Sequence, residues 1–268
     1  MKTSVLSLDG KELKKIDLPN QFSEEIRADL IKRAVLNLQT NRRVAYGAKE
    51  RAGKRASATI SKRRKSYKTA YGHGISRVPR KILTRRGTRF YWVGAVAPGT
   101  VGGRKAHPPK PEKSWEQKIN NKERKKAIRS AMSATIVPEL VKKRNHILPK
   151  IYPLIMENKI EDVDKTSKIK IILNNIDLKK ELTRVSIKKI RAGKGKTRTK
   201  TFKLKKGPLV IVSKDCKLSK SAKNILGVDV CLVKNLNAEL LAPGANPGRL
   251  TIWSEAAIER IAKEKLFV

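Results

Sequence analysis

Acidic residues are scarce in this chain, which has 23 Asp and Glu against 64 Lys and Arg and a formal net charge of +41. Aromatic residues make up only 4 % of the 268 positions, and the two cysteines, Cys216 and Cys231, are not in metal-ligand spacing. This pattern predicts no zinc site and is typical of a reducing cytosol. No run of about 20 apolar residues is present, and residues 1–8 are too short an apolar stretch for a secretory signal. We therefore expect a basic cytoplasmic protein that needs no metal or cofactor.

Motifs that bind nucleotides or activate a nucleophile are also missing. A phosphate-binding loop needs two glycines with four residues between them, followed by Lys and then Ser or Thr. Gly47 and Gly53 are one residue too far apart, and Ile190 stands where the segment ending in 195–197 (GKT) needs its first glycine. No G-x-S-x-G elbow occurs, and no carboxylate or nucleophile is placed to make a general base of His73, His107 or His146. The sequence therefore predicts that the protein is not an enzyme.

Residues 42–113 form the most unusual part of the chain, because Glu50 and Glu112 are their only acids and they show no amphipathic period. Unstructured connections longer than roughly 15 residues are uncommon in compact domains. A segment this basic repels itself and buries little, so water alone leaves it disordered. A polyanion is needed to order it, and RNA fits best. The predicted phosphate-binding cations are Arg42, Arg43, Lys49, Arg51, Lys54, Arg55, Lys62, Arg63, Arg64, Lys65, Arg89, Arg104 and Lys105.

Aromatic residues of the same segment lie among arginines and glycines. Each ring can stack on an unpaired base while a neighbouring arginine contacts a phosphate with two hydrogen bonds. The predicted base-contacting residues are Tyr67, Tyr71, Phe90, Tyr91 and Trp92, with His73 and His107 as hydrogen-bonding groups beside them. A flexible linker of the same composition is the alternative, although ordinary linkers do not usually carry Phe-Tyr-Trp in sequence.

A second basic tract covers residues 188–198, and no acid occurs between Leu182 and Asp215. Charge runs are usually solvated faces, and the Lys-rich stretch at 122–129 fits that reading. The second tract is instead expected to make a further RNA contact on the folded domain. Its predicted contact residues are Arg191, Lys194, Lys196 and Arg198.

The segments on both sides of residues 42–113 have the patterns of an ordinary folded domain. Residues 5–8 predict a short strand with a return strand at 14–18, and Ser23 is the predicted N-cap of a helix that extends to about residue 40. After the basic segment, small residues at helical spacing over 127–134 predict a second helix, with a capping box starting at Ser114 or Asn120.

The C-terminal half alternates between strand and helix signals. Apolar runs at 209–212, 228–233 and 250–253 have the composition of strands that are buried on both faces. Further predictions are a strand at 147–154, a helix or strand at 166–173, a helix from Asp177 to residue 190, helices at 219–226 and 237–241, and a last helix capped by Ser254. The predicted fold is α/β, a mostly parallel sheet with flanking helices in a Rossmann-like layer fold. Residues 1–41 and 114–268 form this globular domain, and residues 42–113 are inserted in it as a long extended basic loop.

Four segments of the sequence point to one family. They are 38–43 (LQTNRR), 102–109 (GGRKAHPP) followed by 121–124 (NKER) and 127–131 (AIRSA), 189–196 (KIRAGKGK), and 241–244 (LAPG) with 247–253 (PGRLTIW). Together they resemble the archaeal and eukaryotic form of the large-subunit ribosomal protein four family, in the right order and over essentially the whole chain. Residues 84–101 match that family less closely. An end at Val268, without a long basic extension, favours an archaeal source.

The resemblance implies a structural constituent of the large ribosomal subunit, whose partners are large-subunit ribosomal RNA and neighbouring large-subunit proteins. It implies a globular domain on the outside of the subunit and a loop that passes through the RNA, aids its assembly and helps line the nascent-peptide exit tunnel. The nascent polypeptide is then a further partner, whereas a membrane and a small-molecule substrate are not expected. The tip of the loop is expected within residues 74–89, at Arg77, Pro79, Arg80, Arg85 and Arg86.

Two other classes remain as alternatives. A general nucleic-acid-binding or chromatin protein would be explained by the net charge alone, and it predicts similar affinity for DNA and RNA with a steep dependence on salt. An α/β nucleotide enzyme needs a glycine-rich turn after the first strand, and residues 9–11 (DGK) do not supply one.

Overall fold

The strands of the protein are short and alternate with helices along most of the chain. The computed structural model describes residues 2–87 and 89–268. In chain order the strands are β1 (Lys2–Leu6), β2 (Glu12–Asp17), β3 (Arg80–Arg86), β4 (Arg89–Gly94), β5 (Leu154–Met156), β6 (Lys189–Ile190), β7 (Phe202–Lys203), β8 (Leu209–Val212), β9 (Asp229–Leu232) and β10 (Thr251–Ser254). The helices are α1 (Ala28–Asn41), α2 (Asn121–Ile136), α3 (Pro138–Lys143), α4 (Thr166–Asn175), α5 (Lys179–Ser186), α6 (Lys217–Ser221), α7 (Ala238–Leu241) and α8 (Glu255–Lys263).

Contacts between residues divide the chain into two units. The first unit comprises the residues up to Arg42 together with Glu116–Val268, and the second unit is Arg43–Trp115. All of the helices named above belong to the first unit. β3 and β4 belong to the second unit and pair with each other in a two-stranded sheet.

Six strands of the first unit form one sheet in the order β2-β1-β5-β10-β8-β9. β2 runs antiparallel to β1, and the other neighbouring strands are parallel. All residues of β8 and β10 are buried, as continuous apolar runs predict for strands that are covered on both faces. The predicted α/β fold with a mostly parallel sheet and flanking helices is confirmed.

Hydrophobic clusters cover both faces of this sheet, because successive side chains of a strand point to opposite faces. Trp253 of β10 lies in the cluster with α1, α2 and α8, whereas its neighbour Ile252 lies in the cluster with α4 and α6. The Trp253 ring meets the Phe22 ring edge to face, with 4.9 Å between the ring centroids. The sheet is therefore the middle layer of three.

Several details of the first unit agree with the sequence. Residues 2–6 and 12–17 form the predicted N-terminal hairpin, and the ambiguous stretch at 166–173 is helical as part of α4. Ser254 caps α8, since its Oγ accepts a hydrogen bond from the Ala257 amide at 3.2 Å. Asn120 is the N-cap of α2, but its side chain makes no capping hydrogen bond within the described residues.

The predicted start of the first helix is wrong. α1 begins at Ala28 rather than directly after Ser23, because Asn20–Phe22 form a 3-10 turn before it. The Arg27 amide then donates to Ser130 Oγ at 2.7 Å, so a contact with α2 fixes where α1 starts. Local capping chemistry was overridden by a contact that is distant in sequence.

Two further boundaries in the C-terminal half need correction. Asp177 is not an N-cap, because it has a left-handed φ of +60° in the turn after α4, and α5 spans only Lys179–Ser186. The predicted strand at 147–154 is wrong except for Leu154, since its two prolines lack the amide hydrogens that a sheet ladder needs.

Candidate nucleic-acid interface

The second unit contains a β-hairpin that sequence reasoning missed. β3 runs antiparallel to β4 with Arg86 opposite Arg89, and a bulge between Ile82 and Thr84 shifts the register. Half-buried and exposed side chains alternate along β4, and Gly87 follows β3 with a φ of +54°. A glycine between the two runs was the available sequence signal. Residues 80–86 and 89–94 therefore form regular structure that the sequence analysis did not predict.

Alternation along β4 places its aromatic residues on two faces of the hairpin. Phe90 and Trp92 lie on one face with their ring centroids 6.1 Å apart, and Tyr67 meets the Phe90 ring edge-on at 5.3 Å. Tyr91 lies on the opposite face and is 50 % exposed. The predicted base-contacting residues are therefore not equivalent, because three of them form one cluster and Tyr91 stands outside it.

Arginines lie over the rings of this cluster at distances typical of cation–π contacts. Arg85 Cζ is 5.4 Å from the Phe90 ring centroid and 5.9 Å from that of Tyr67, and Arg80 Cζ is 5.6 Å from that of Trp92. A guanidinium that stacks through its face keeps the N–H groups on its edge available for a phosphate.

Similar contacts occur elsewhere in the second unit. Arg43 Cζ lies 3.6 Å from the Trp115 ring centroid, and the Trp115 ring stacks on that of Tyr46 with 6.2 Å between centroids. Arg77 Cζ lies 4.7 Å from the Tyr71 ring centroid. Sequence reasoning missed Trp115 and Tyr46 because it followed runs of charge, and these aromatic residues lie near the two ends of the unit.

Most of the predicted phosphate-binding residues are exposed to solvent. The exposed ones are Arg42, Arg43, Lys49, Arg51, Lys54, Arg55, Lys62, Arg63, Arg64, Lys65, Arg89, Lys105, His73 and His107. Arg104 is half-buried. Arg42, which belongs to the first unit, forms an ion pair with Glu239 there, so part of its charge is already neutralised.

The residues predicted for the tip are spread along the hairpin and the chain that leads into it. Arg77 and Pro79 precede β3, and the Pro79 carbonyl accepts a hydrogen bond from Ala95 N at 2.8 Å. Arg85 and Arg86 lie at the end of β3, next to the connection between the strands. Thr88, which falls within the predicted range 74–89, lies outside the described residues.

The second basic tract forms a short hairpin in the first unit. β6 and β7 pair antiparallel, and all residues from 186 to 206 are exposed. Arg191 Nε donates to the Phe202 carbonyl at 3.2 Å. The other predicted contacts lie in the connection between the strands, at Lys194, Lys196 and Arg198.

Most of the chain matches one protein family. The model described as the Ribosomal protein L4/L1 family matches residues 16–264. The chain belongs to this family. Among curated L4/L1-type relatives, large ribosomal subunit protein uL4 of Nanoarchaeum equitans is 49 % identical over 268 residues, which is 100 % of both chains. The protein of the same name from Archaeoglobus fulgidus is 43 % identical over 264 residues, 98 % of this chain and 99 % of its own. That of Methanopyrus kandleri is 40 % identical over 269 residues, 99 % of each.

In this member of the L4/L1 family, a buried polar cluster anchors the base of the second basic hairpin. Glu181 of α5 accepts hydrogen bonds from Arg184 Nε at 2.7 Å and from the Ile147 amide at 3.0 Å, and His146 Nδ1 lies 2.6 Å from Glu181 Oε1. Arg184 also donates to the Lys206 carbonyl at 3.0 Å, where the hairpin returns to the sheet. Sequence reasoning missed Glu181, because two of its partners, His146 and the Ile147 amide, are distant along the chain.

The protonation states in this cluster follow from burial and hydrogen bonding. Burial raises the pKa of Glu181, but the hydrogen bonds from Arg184, His146 and the Ile147 amide outweigh burial and hold the pKa at about 2. Burial lowers the pKa of His146, so its imidazole is neutral at pH 7 and donates from Nδ1. One carboxylate therefore neutralises one guanidinium inside the L4/L1 fold.

The capacity for a metal site, a membrane-spanning helix or a reactive thiol is limited in the described residues of this L4/L1-family chain. Within residues 2–87 and 89–268, no group of His, Cys, Asp and Glu side chains is arranged to hold a metal ion. No helix in that part of the chain is long and apolar enough to cross a membrane. Burial raises the pKa of the Cys231 thiol to about 11, so it is protonated at neutral pH and not a reactive nucleophile.

Proposed function

We propose that the protein is a structural constituent of the cytoplasmic large ribosomal subunit, where it binds large-subunit ribosomal RNA and aids its assembly. Family membership and relatives that bear the name of a large-subunit protein support this role. The observation that carries it is the second unit, in which exposed cations and an aromatic cluster occur together with only two acids, Glu50 and Glu112. Such a surface binds phosphates by charge and unpaired bases by stacking.

The first unit serves as the anchor in this proposal. The segments by which the chain leaves and re-enters this unit lie together. Asn41 Nδ2 donates to the Gln117 carbonyl at 3.1 Å, and the Gln117 amide donates to Asn41 Oδ1 at 2.9 Å. Asn37 Nδ2 also donates to the Gln117 carbonyl, at 2.6 Å. The chain therefore leaves the sheet domain and returns to it at one fixed place, from which residues 43–115 extend into RNA. The hairpin 187–204 of the first unit provides a second basic contact.

The tip of the proposed RNA-binding loop is the connection between β3 and β4. Arg85, Arg86 and Arg89 flank this connection and give it a concentrated positive charge. In the large subunit, we place this end of the hairpin at the wall of the exit tunnel, next to the nascent polypeptide. Neighbouring large-subunit proteins are the remaining proposed partners.

Limited proteolysis tests the coupling between RNA binding and order in the second unit. Its buried side chains, within the described residues, are Thr69, Ala70 and Ala95, so it has no core of large apolar residues to stabilise it alone. We expect trypsin to cut the free chain rapidly within 43–115 and to leave this segment intact when RNA is bound. Mass spectrometry identifies the cuts, and the bond after Arg249, whose side chain is fully buried in the first unit, is the internal control. A free chain that resists trypsin throughout 43–115 contradicts the proposal.

A density gradient tests membership in the subunit. After a wash of a native lysate in high salt, we expect the chain to remain with the large ribosomal subunit at one-to-one stoichiometry, measured by mass spectrometry. Many phosphate contacts together with base stacking explain such retention. Recovery at the top of the gradient would instead indicate loose charge contacts, as expected of a general nucleic-acid-binding protein.

A further inference from the structure

A cavity of about 490 Å³ opens beside the hairpin of the second unit. Three aromatic rings form its walls, those of Tyr67, Phe90 and Trp92. The remaining lining residues are Ser66, Lys68, Thr69, His73, Ile75 and Arg85. Apolar walls with a few convergent polar groups are the usual composition of a binding pocket for a small planar group.

The arrangement of the rings leaves the pocket open. The Tyr67 and Phe90 rings are inclined by 74° to each other, and the Phe90 and Trp92 rings by 32°. Tyr67 is 58 % exposed although it belongs to the cluster, so the three rings do not close into a sealed core. A planar group can therefore reach the ring faces from solvent.

The charge of the pocket selects a negatively charged partner. Among the residues that the structure describes, no acid lines it, whereas Lys68 and Arg85 do, and the exposed run 62–65 (KRRK) precedes it in the chain. Nucleic acid combines a planar aromatic base with a phosphate on each side, which matches an aromatic pocket bordered by cations. A peptide occupant would need acidic side chains to match the same charge.

We propose that this pocket, defined by Tyr67, Phe90, Trp92 and Arg85, holds one unpaired base of the large-subunit RNA, turned out of its helix. This inference rests on the proposed function and adds a specific recognition site to it. The base stacks on the aromatic walls, and its flanking phosphates contact Lys68 and the run 62–65. The pocket thereby fixes the register of the basic loop along the RNA, which charge contacts alone do not do.

Arg85 gives the pocket a preference among bases. Its Nε donates to the Gly87 carbonyl at 2.8 Å, which holds the guanidinium in place over the rings. Within the part of the chain that the structure describes, this is the only hydrogen bond of the Arg85 side chain, so its terminal nitrogens are available to the occupant. An arginine edge pairs best with the two acceptors of guanine, O6 and N7. Guanine is the expected occupant.

Chemical probing of ribosomal RNA in purified large subunits tests the pocket. Subunits are prepared with Tyr67→Ala or Trp92→Leu, and the matched control is Val93→Ala at an exposed position on the opposite face of β4. We expect one nucleotide to become more reactive by roughly fivefold or more in both pocket variants, because stacking on one ring is lost. The Val93→Ala control and the ring-preserving Tyr67→Phe are expected to leave that nucleotide protected. Identical reactivity in all four variants overturns the inference.

Ultraviolet cross-linking of unaltered subunits gives a second, independent measurement. Mass spectrometry is expected to find a base cross-linked to Tyr67, Phe90 or Trp92. Two results contradict the proposal that the pocket holds a base. One is a cross-link between these three residues and another protein, and the other is cross-linking to RNA at Tyr91 alone. A chain that is absent from the subunit fraction contradicts the proposed function itself, so the two failures are distinguishable. Tyr67→Ala removes an exposed ring outside the β3–β4 ladder, so a folding defect in the Trp92 variant does not decide the result.

Discussion

A chain in which a Gly–Ser linker of about six residues replaces residues 43–115 is expected to fold normally and to lose most of its affinity for RNA. It folds because Asn41 and Gln117 are already joined by two hydrogen bonds, and such a linker has a normal length for a connection between helices. It loses affinity because the excised segment holds most of the predicted phosphate contacts and only two acids. Binding to large-subunit RNA as a function of salt is the measurement.

The salt dependence separates this result from a general loss of charge. If the intact chain makes six or more phosphate contacts through the second unit, its affinity falls by roughly 10³-fold or more between 50 and 200 mM salt. The chain that lacks residues 43–115 is expected to show a much shallower dependence of affinity on salt. A matched control replaces only 191–201 in the second basic hairpin with a Gly–Ser linker, and it should retain most of the slope. A steep salt dependence in the chain that lacks residues 43–115 would show that the first unit carries the binding.

Replacement of Glu181 by Gln is expected to destabilise the first unit by about 3–5 kcal/mol, since it leaves the Arg184 guanidinium half-buried without its carboxylate. The Ile147 amide and His146 lose a charged acceptor in the same substitution. The free energy of unfolding in urea, measured at pH 7, is the readout. Glu259→Gln is the control, because that residue forms an exposed ion pair with Lys263 and its loss is worth about 0.5 kcal/mol or less.

The pH dependence of stability identifies the carboxylate as the cause. Because the pKa of Glu181 falls from 4.5 to about 2 on folding, ionised Glu181 stabilises the native state above pH 4.5, and this stabilisation disappears as the pH falls toward 2. The shift corresponds to about 3 kcal/mol. Burial also lowers the pKa of His146, so its contribution to stability falls earlier, as the pH drops below 6.5. Glu181→Gln should remove this share of the loss between pH 4.5 and 2, while the share of other carboxylates such as Asp229, whose pKa is also lowered on folding, remains. An unchanged acid transition in the variant would assign it to other groups.

The sequence predicts the sheet better than the interface, for a physical reason. Strands such as β8 and β10 are buried on both faces, so their composition alone distinguishes them, and Ser254 caps α8 through a local hydrogen bond. The aromatic pocket depends on Tyr67 meeting Phe90 across a bulged hairpin, which no local pattern encodes. The same holds for Glu181, whose partners lie at 146–147 and 184. Composition predicted that the second unit binds a polyanion, but not which side chains act together.

The strand order has a consequence for how the protein is made. β10 lies between β5 and β8, yet it is synthesised after all the other strands of the sheet. Until residues 251–254 have been translated, β1, β2 and β5 have no strand that joins them to β8 and β9. A growing chain therefore exposes two incomplete half-sheets and a long basic segment at the same time, a state prone to aggregation and to binding the wrong RNA. Completion of the sheet, and burial of the facing edges of β5 and β8, therefore waits until the last strand has been made.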